Sequence, residues 1–324
     1  MARVVLSAFP MIDPETYREV LDEAVDEPVE IEVAELGSAE NLIAAADGAD
    51  AVVTDIDTPV TAAALDRLDL RVVVRSAVGV DNVDVGTAAE RGVTVTRVPD
   101  YCTDEVAAHS VSLLLACLRS LKAYDDDVAA GGWSWEAGQP VRRVSASTIG
   151  FVSFGPIAKR AAEQLAGFDA DLVAYDPFVE AEEMAAYGVE KASFEGLFDR
   201  ADHVGVYAPL TDATRGMVDA DALARLGEDS VVVNVGRGPV VDADALLDAL
   251  ESGSIKGAGL DVLAEEPPED DPLVGRDDTV VTPHAAWYSE EARDDLNRSG
   301  AADVAAALNG ETPDGRVDPE ADWL

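Results

Sequence analysis

Gly150-Phe151-Val152-Ser153-Phe154-Gly155-Pro156-Ile157-Ala158, "GFVSFGPIA", decides how this 324-residue chain is read. The apolar run "STIGFVSF" ends there, and a helical pattern begins at Pro156. A strand that turns sharply into a helix is the setting of the dinucleotide fingerprint G-x-G-x-x-G. Of its glycines only the middle one, Gly155, is left; Ser153 and Ala158 occupy the outer positions. The middle position lets the backbone approach a pyrophosphate, and alanine is an accepted variant at the third. Pro156 suits the first helical turn, where its missing N–H is harmless and its φ is preset. The free N–H groups of that turn, from Ile157 on, and the positive end of the helix dipole still face the phosphates. Ser153 is the departure. A left-handed backbone there costs a non-glycine residue ~1–2 kcal/mol, which is about one power of ten in affinity.

The next acidic checkpoint of the fingerprint lies ~20 positions on, at the end of the second strand. Asp176 in "LVAYDPF" occupies it. Its carboxylate accepts ribose hydroxyls and repels a 2′-phosphate, and no Lys or Arg lies between Arg160 and Lys191 to welcome one. The expected cofactor is therefore NAD rather than NADP.

Outward from this turn, strand-like and helical runs alternate. Upstream come "RVVLSAF", a helix near 14–26, "VEIEVAE", a helix near 39–47, "ADAVVTD", "LRVVVRS" and "GVTVTRV". A long helical stretch, roughly 103–130, follows and is broken by "GGWSWEAGQP". Downstream of Ser147 come "ADLVAYD", a helix, "HVGVYA", a helix, "SVVVNVG", a helix from Asp242, "KGAGLDV" and "DTVVTPH". This alternation predicts an α/β protein with two doubly wound parallel sheets. The last helix, near 289–309, has no strand after it and is expected to return to the first domain. The predicted division is a discontinuous outer domain, 1–98 with 287–324, and a continuous inner one, 99–286.

Three polar residues fall where later strands end: Arg237 in "NVGRGPVVD", Glu266 in "GLDVLAEEPP" and His284 in "VVTPHAAWYS". In an open α/β sheet, ligands bind outside the carboxyl ends of the strands. Arginine grips a carboxylate with a bidentate fork. A histidine delivers a proton to a carbonyl oxygen as hydride reaches carbon, and takes it back in reverse. A glutamate beside it fixes the imidazole's tautomer. Together they suit interconversion of a 2-keto acid and a 2-hydroxy acid. His109 and His203 are read as structural, one on the long helix and the other at a strand start.

Composition narrows the partners. The chain has 65 acidic and 23 basic residues, a formal net charge of −42, with 48% apolar residues. The acids are scattered between apolar positions, so they coat a folded surface instead of forming a disordered tail. Such a surface suits a salt-rich cytoplasm, where screening shortens self-repulsion to ~3 Å at 1 M salt. With no basic stripe, nucleic acid is not expected as a partner. Cys102 and Cys117, the two cysteines, show no zinc spacing and are expected to be buried thiols on one helix. No metal site, signal peptide or membrane span is expected, and the location is read as cytoplasmic.

Taken together, these motifs resemble the D-isomer-specific 2-hydroxyacid dehydrogenase family. The resemblance covers nearly the whole chain and includes "VRSAVGVDNVDV", "VPDYCTDEVAAHSVSLLLA", "PLTDATRG", "VNVGRGPVVD", "GAGLDVLAEEPP" and "TPHAAWYSEEA". The last looks most like the branch of the C-terminal binding protein. The resemblance implies an inner Rossmann-type NAD-binding domain and an outer, flavodoxin-like substrate domain. It implies Arg237, Glu266 and His284 as the catalytic set. Further cofactor contacts fall on Ala208, Pro209, Thr214, Gly236 and Arg237, on His284, and on Asp261 for the nicotinamide carboxamide. The substrate carboxylate would meet the backbone N–H groups of Val78 and Gly79 besides Arg237 and His284. Trp287 is a candidate for the substrate tail, and Tyr101 another. A homodimer through the NAD-binding domain is implied, with the helix from Thr103 and the "GGWSW" loop supplying the contact. Trp133 and Trp135 would otherwise pack on their own domain.

The departures from the family pattern are Ser153, Ala158, Ala108 and Tyr207. A competing reading is an NAD(H)-sensing regulatory protein with slow or no turnover. Phosphoglycerate dehydrogenase activity is a rival within the class. It is disfavoured here by the scarcity of basic residues and by a chain that ends soon after its last helix.

Overall fold

The computed structural model describes residues 1–321; the last three residues of the expected outer domain, 322–324, lie outside it. The chain divides into two units, one formed by Met1–Cys102 with the segment from Ser289 onward, the other by Thr103–Tyr288.

In the first unit the strands are β1 (Ala2–Ser7), β2 (Val29–Ala34), β3 (Ala51–Thr54), β4 (Val72–Arg75) and β5 (Thr94–Arg97). They form a parallel sheet in the order β2-β1-β3-β4-β5, the flavodoxin-like winding. "AVVT" and "VVVR" are buried at every residue, as a parallel sheet covered on both faces requires. The helix Glu290–Asn309 packs against the helix Pro14–Ala24 of the same unit. Gly300 makes room for this contact, because a Cβ there would run into the Tyr17 hydroxyl. Asn297 ties the helix down: its Oδ1 accepts the Asp13 N–H at 2.7 Å and its Nδ2 donates to the Met11 carbonyl at 2.9 Å.

In the second unit the strands are β6 (Thr148–Val152), β7 (Asp171–Tyr175), β8 (Val189–Lys191), β9 (His203–Val206), β10 (Val231–Asn234), β11 (Gly257–Leu260) and β12 (Thr279–Val281). Their parallel order is β12-β11-β10-β9-β6-β7-β8. The winding reverses beside β6, so the β6–β9 junction is the switch point at which such sheets bind ligands. Register sets the strand ends level: Val152 pairs with Val206, Val206 with Asn234, Asn234 with Leu260 and Leu260 with Val281. The loops that follow therefore share one edge.

The helix Thr103–Leu118 covers part of this sheet, burying Val111, Leu113, Leu114 and Leu118, each worth ~1.5–3 kcal/mol on leaving water. A Cβ on Gly259 would lie 2.9 Å from the Leu113 Cβ. Gly259→Ala is thus an overpacking change of ~1–3 kcal/mol.

Four local expectations are corrected. The stretch 103–130 is not one helix: Thr103–Leu118 and Leu121–Ala129 meet at a 62° bend. Ser120 at the break has φ 53°, and its hydroxyl donates to the Gly138 carbonyl at 2.8 Å. The second helix buries none of its residues, so no packing holds it on the first helix's course. Between Asp176 and His203 the chain forms the helix Ala181–Ala185, the edge strand β8 and the helix Phe194–Phe198, not a single helix. Cys102 precedes the helix that carries Cys117; both are buried thiols outside any disulfide. Trp133 and Trp135 are 90% and 74% exposed, so neither packs on its own unit. Among the described residues no single helix is long and apolar enough to cross a membrane, and no cluster of potential metal ligands is present.

Candidate active site

The turn after β6 answers the question that its sequence raises. Ser153 adopts φ 72°, the left-handed setting that a glycine would take without strain. Its N–H donates to the Tyr175 carbonyl at 2.8 Å. Its hydroxyl donates to Asp176 Oδ2 at 3.1 Å, and the Phe154 N–H donates to the same oxygen at 2.8 Å. The Phe178 N–H donates to Asp176 Oδ1 at 2.9 Å. Asp176, 6% exposed, is thus a brace of the turn as well as its acidic checkpoint. A carboxylate has about four acceptor positions, so the brace leaves capacity for a further hydroxyl.

Gly155 caps the helix Pro156–Leu165 without a side-chain bond, and nothing lies within 4 Å of where its Cβ would be. The first helical bond runs from the Lys159 N–H to the Gly155 carbonyl. The N–H groups of Ile157 and Ala158 therefore have no helical acceptor. Open space, free donors and a helix dipole fit a pyrophosphate, and Asp176 beside them fits a ribose.

The loops after β9 and β10 lie against each other. A Cβ on Gly236 would come 2.7 Å from the Ala208 carbonyl oxygen, so only glycine fits there. Thr214 donates its hydroxyl to the Pro209 carbonyl at 2.6 Å and accepts the Thr211 N–H at 2.8 Å, closing the 209–214 loop on itself. Asn234 Oδ1 accepts the Gly236 N–H at 3.1 Å, and its Nδ2 donates to the Arg237 carbonyl at 3.0 Å. This fixes the backbone from which Arg237 projects.

The turn after β12 carries His284 at φ 51°. Its N–H donates to the carbonyls of Asp261 at 2.8 Å and Thr282 at 3.0 Å. The Asp261 carboxylate, 2% exposed, holds the rest. Oδ1 accepts the Thr282 hydroxyl at 2.6 Å and the Ala285 N–H at 2.9 Å, and Oδ2 accepts the Ala286 N–H at 3.0 Å.

His284 Nδ1 lies 2.6 Å from Glu266 Oε2, and Glu266 Oε1 accepts the Leu263 N–H at 2.8 Å. Burial pushes the Glu266 carboxyl up. The His284 hydrogen bond and charge, the Leu263 N–H and the positive charge of Arg237 outweigh it and hold the group below its ordinary range. Arg237 is thus near enough for its field to reach the pair. An ionised carboxylate only accepts, so Nδ1 of His284 is the donor and Nε2 is left to face a ligand. Each side chain of the pair is about one-third exposed, at 32% and 33%.

Trp287 is half-buried, its ring 5.4 Å from that of Tyr288. Val78 and Gly79 belong to the first unit, in the loop after β4, where Arg97 Nη1 donates to the Val78 carbonyl at 3.1 Å. Sequence reasoning did not single out two neighbours of Asp261, Thr282 and His109. Thr282 stood two places before His284 in a motif already singled out. In the sequence His109 reads only as structural, because its partner Thr282 lies just past β12, 173 residues away.

Comparison with known proteins agrees with this architecture. Residues 111–286 match the family described as "D-isomer specific 2-hydroxyacid dehydrogenase, NAD binding domain". The chain is 38% identical over 292 residues to a D-3-phosphoglycerate dehydrogenase of Mycobacterium leprae, covering 89% of this chain and 54% of that protein. It thus spans about half the length of the curated phosphoglycerate dehydrogenases it matches. It is 36% identical over 277 residues to a glyoxylate reductase of Korarchaeum cryptofilum, covering 84% and 83% of the two chains. Among solved structures, a D-lactate dehydrogenase from Aquifex aeolicus, complexed with NAD and lactic acid, shares the fold. Its TM-score is 0.85 at 24% identity, over 95% of this chain and 96% of that one.

Proposed function

The chain belongs to the D-isomer specific 2-hydroxyacid dehydrogenase family, and we propose that it interconverts a 2-keto acid and a D-2-hydroxy acid with NAD as cofactor. The observation that carries this reading is the Glu266–His284 pair, closed at 2.6 Å with the charge of Arg237 acting on it. In the proposed reaction NADH, when bound, supplies the hydride. Arg237 grips the substrate carboxylate. His284, protonated on both nitrogens, gives its Nε2 proton to the carbonyl oxygen of the keto acid, and Glu266 stabilises the imidazolium beforehand. In reverse the neutral imidazole takes that proton from the alcohol. Gly155, Pro156 and Ile157 would cradle the pyrophosphate and Asp176 the ribose. Gly236 and the Ala208–Thr214 loop would shape the remaining cofactor contacts. The N–H groups of Val78 and Gly79 are assigned to the carboxylate, and Trp287 to the substrate tail.

The second unit is proposed as the NAD-binding domain and the first as the substrate domain. A homodimer is proposed through the second unit, where Trp133, Trp135, Leu121 and Val128 expose apolar surface. The charge of −42 supports a protein adapted to a salt-rich cytoplasm. The finer placement beside the C-terminal binding protein rests on the motif around Trp287 alone.

An activity matrix tests the reading: NADH and NADPH against a panel of 2-keto acids, in dilute buffer and in molar salt. Turnover with NADH, strongest in high salt, is expected. NADH binding without turnover on any acid would replace the enzyme with the regulator.

A further inference from the structure

His109, on the helix Thr103–Leu118, has no part in the scheme above. Its Nε2 lies 2.9 Å from Thr282 Oγ1 and 3.6 Å from Asp261 Oδ1. Thr282 Oγ1 lies 2.6 Å from that same carboxylate oxygen. Counting protons fixes the direction of the chain. A threonine hydroxyl has one hydrogen, and an ionised carboxylate only accepts. The Thr282 proton therefore goes to Asp261, and the Thr282 oxygen is left as an acceptor. His109 must then carry its proton on Nε2. The result is an ordered relay of donors from His109 to Thr282 to Asp261.

Asp261 is where this chain reaches the chemistry. Its carboxylate holds the N–H groups of Ala285 and Ala286, and its carbonyl holds the N–H of His284. His284 sits in a conformation that a non-glycine residue adopts at a cost of ~1–2 kcal/mol. Such strain persists only where the surroundings over-determine it. Without a donor on its far side, Thr282 is free to rotate its hydroxyl away, and Asp261 loses one of the bonds that set its orientation.

We propose that His109 is a positioning residue for His284. It acts through Thr282 and Asp261 to hold the turn after β12 in its left-handed setting. The proposal rests on the reading of His284 as the proton donor and acceptor.

Paired substitutions test it. His109→Leu and Thr282→Val cut the relay; His109→Gln and Thr282→Ser keep a donor at each place. The cut variants should lose ~10–100-fold in kcat. Their NADH affinity by fluorescence titration and their unfolding midpoints should stay near wild type. The conservative variants should recover most of the loss. The double variant His109→Leu/Thr282→Val should be no slower than Thr282→Val alone, because the chain is already broken. A His109→Leu variant with full kcat would overturn the proposal. So would a loss that follows the unfolding midpoint and is not rescued by glutamine, the pattern of mere packing. Nitrogen-15 histidine NMR decides without turnover. His109 should be the Nε2–H tautomer, with the His284 resonances moved by Thr282→Val and left in place by Thr282→Ser. An Nδ1–H tautomer or an unmoved His284 would sink the proposal. Failure of every keto acid to react with wild type, beside an intact NMR signature, would instead sink the reading of the site.

Discussion

The turn after β6 and the turn after β12 place a non-glycine residue in the left-handed region, Ser153 at φ 72° and His284 at φ 51°. Each is braced by a buried aspartate, the first residue past the neighbouring strand: Asp176 after β7, Asp261 after β11. Each aspartate accepts one hydroxyl and two backbone N–H groups, from Ser153, Phe154 and Phe178 in the first case and from Thr282, Ala285 and Ala286 in the second. The two turns differ in what the strained residue is for. At 153 a glycine would serve the backbone better, and the hydroxyl recovers about the ~1 kcal/mol of a hydrogen bond. At 284 no glycine will do if, as proposed, the imidazole is the reagent. In the proposed reaction the same brace would serve phosphate approach at one turn and proton transfer at the other.

The largest expected effect separates the two turns outright. His284→Ala should lower kcat by ~10²–10⁴ while leaving NADH affinity within about threefold of wild type. Steady-state kinetics and a fluorescence titration read the two quantities. Equal losses in both would mean that the turns do not have separate tasks.

Next, the braces can be exchanged for their amides. Asparagine sets an N–H₂ group against groups that themselves donate, so Asp176→Asn and Asp261→Asn should each lose ~1–3 kcal/mol of stability per donor left unpaired. Denaturant midpoints should fall alike in both. Function should not. Asp261→Asn should lose turnover, whereas Asp176→Asn should keep turnover at saturating NADH and lose the preference for NADH over NADPH. A wild-type protein that already prefers NADPH would remove Asp176 from the cofactor site.

Acid should then distinguish the turns. Glu266 titrates below its ordinary value of 4.5. The stability it contributes is therefore present above pH 4.5 and is lost as the pH falls through its folded value. Glu266→Gln should lose less stability than wild type between pH 6 and pH 3, to be seen as converging denaturant midpoints. Parallel curves would deny the linkage.

The smallest effect belongs to Ser153→Gly. Relief of ~1–2 kcal/mol of backbone strain and loss of a hydrogen bond worth ~1 kcal/mol nearly cancel. Stability should move by less than about 1 kcal/mol, with NADH binding somewhat tighter. A large loss would mean that the hydroxyl does more than brace Asp176.

Much of this was legible in the residues. The Val-rich runs that end at Asn234 and Val281, and the spacing from Gly155 to Asp176, report strands, turns and their order directly. Adjacency of Glu266 and His284 follows once three consecutive parallel strands are recognised. What the sequence hid is of another kind. The strand Val189–Lys191 is too short for a period to show. The break at Ser120 comes from what the second helix lacks to pack on. The contact of His109 with Thr282 depends on how a helix is rotated against the turn after β12, and the bond of Ser153 to Asp176 depends on the sign of one φ angle. Local pattern carries neither.

The most direct test of two turns serving one reaction is a single turnover. Protein loaded with NADH deuterated at the transferable C4 position, in molar salt, is mixed with a 2-keto acid, and the product is examined for label. Deuterium is expected at C2 of a D-2-hydroxy acid, formed by wild type and nearly abolished in His284→Ala despite full NADH loading. Loaded wild-type protein that returns its NADH unoxidised from every keto acid, or a His284→Ala variant that transfers label at the wild-type rate, would contradict that expectation.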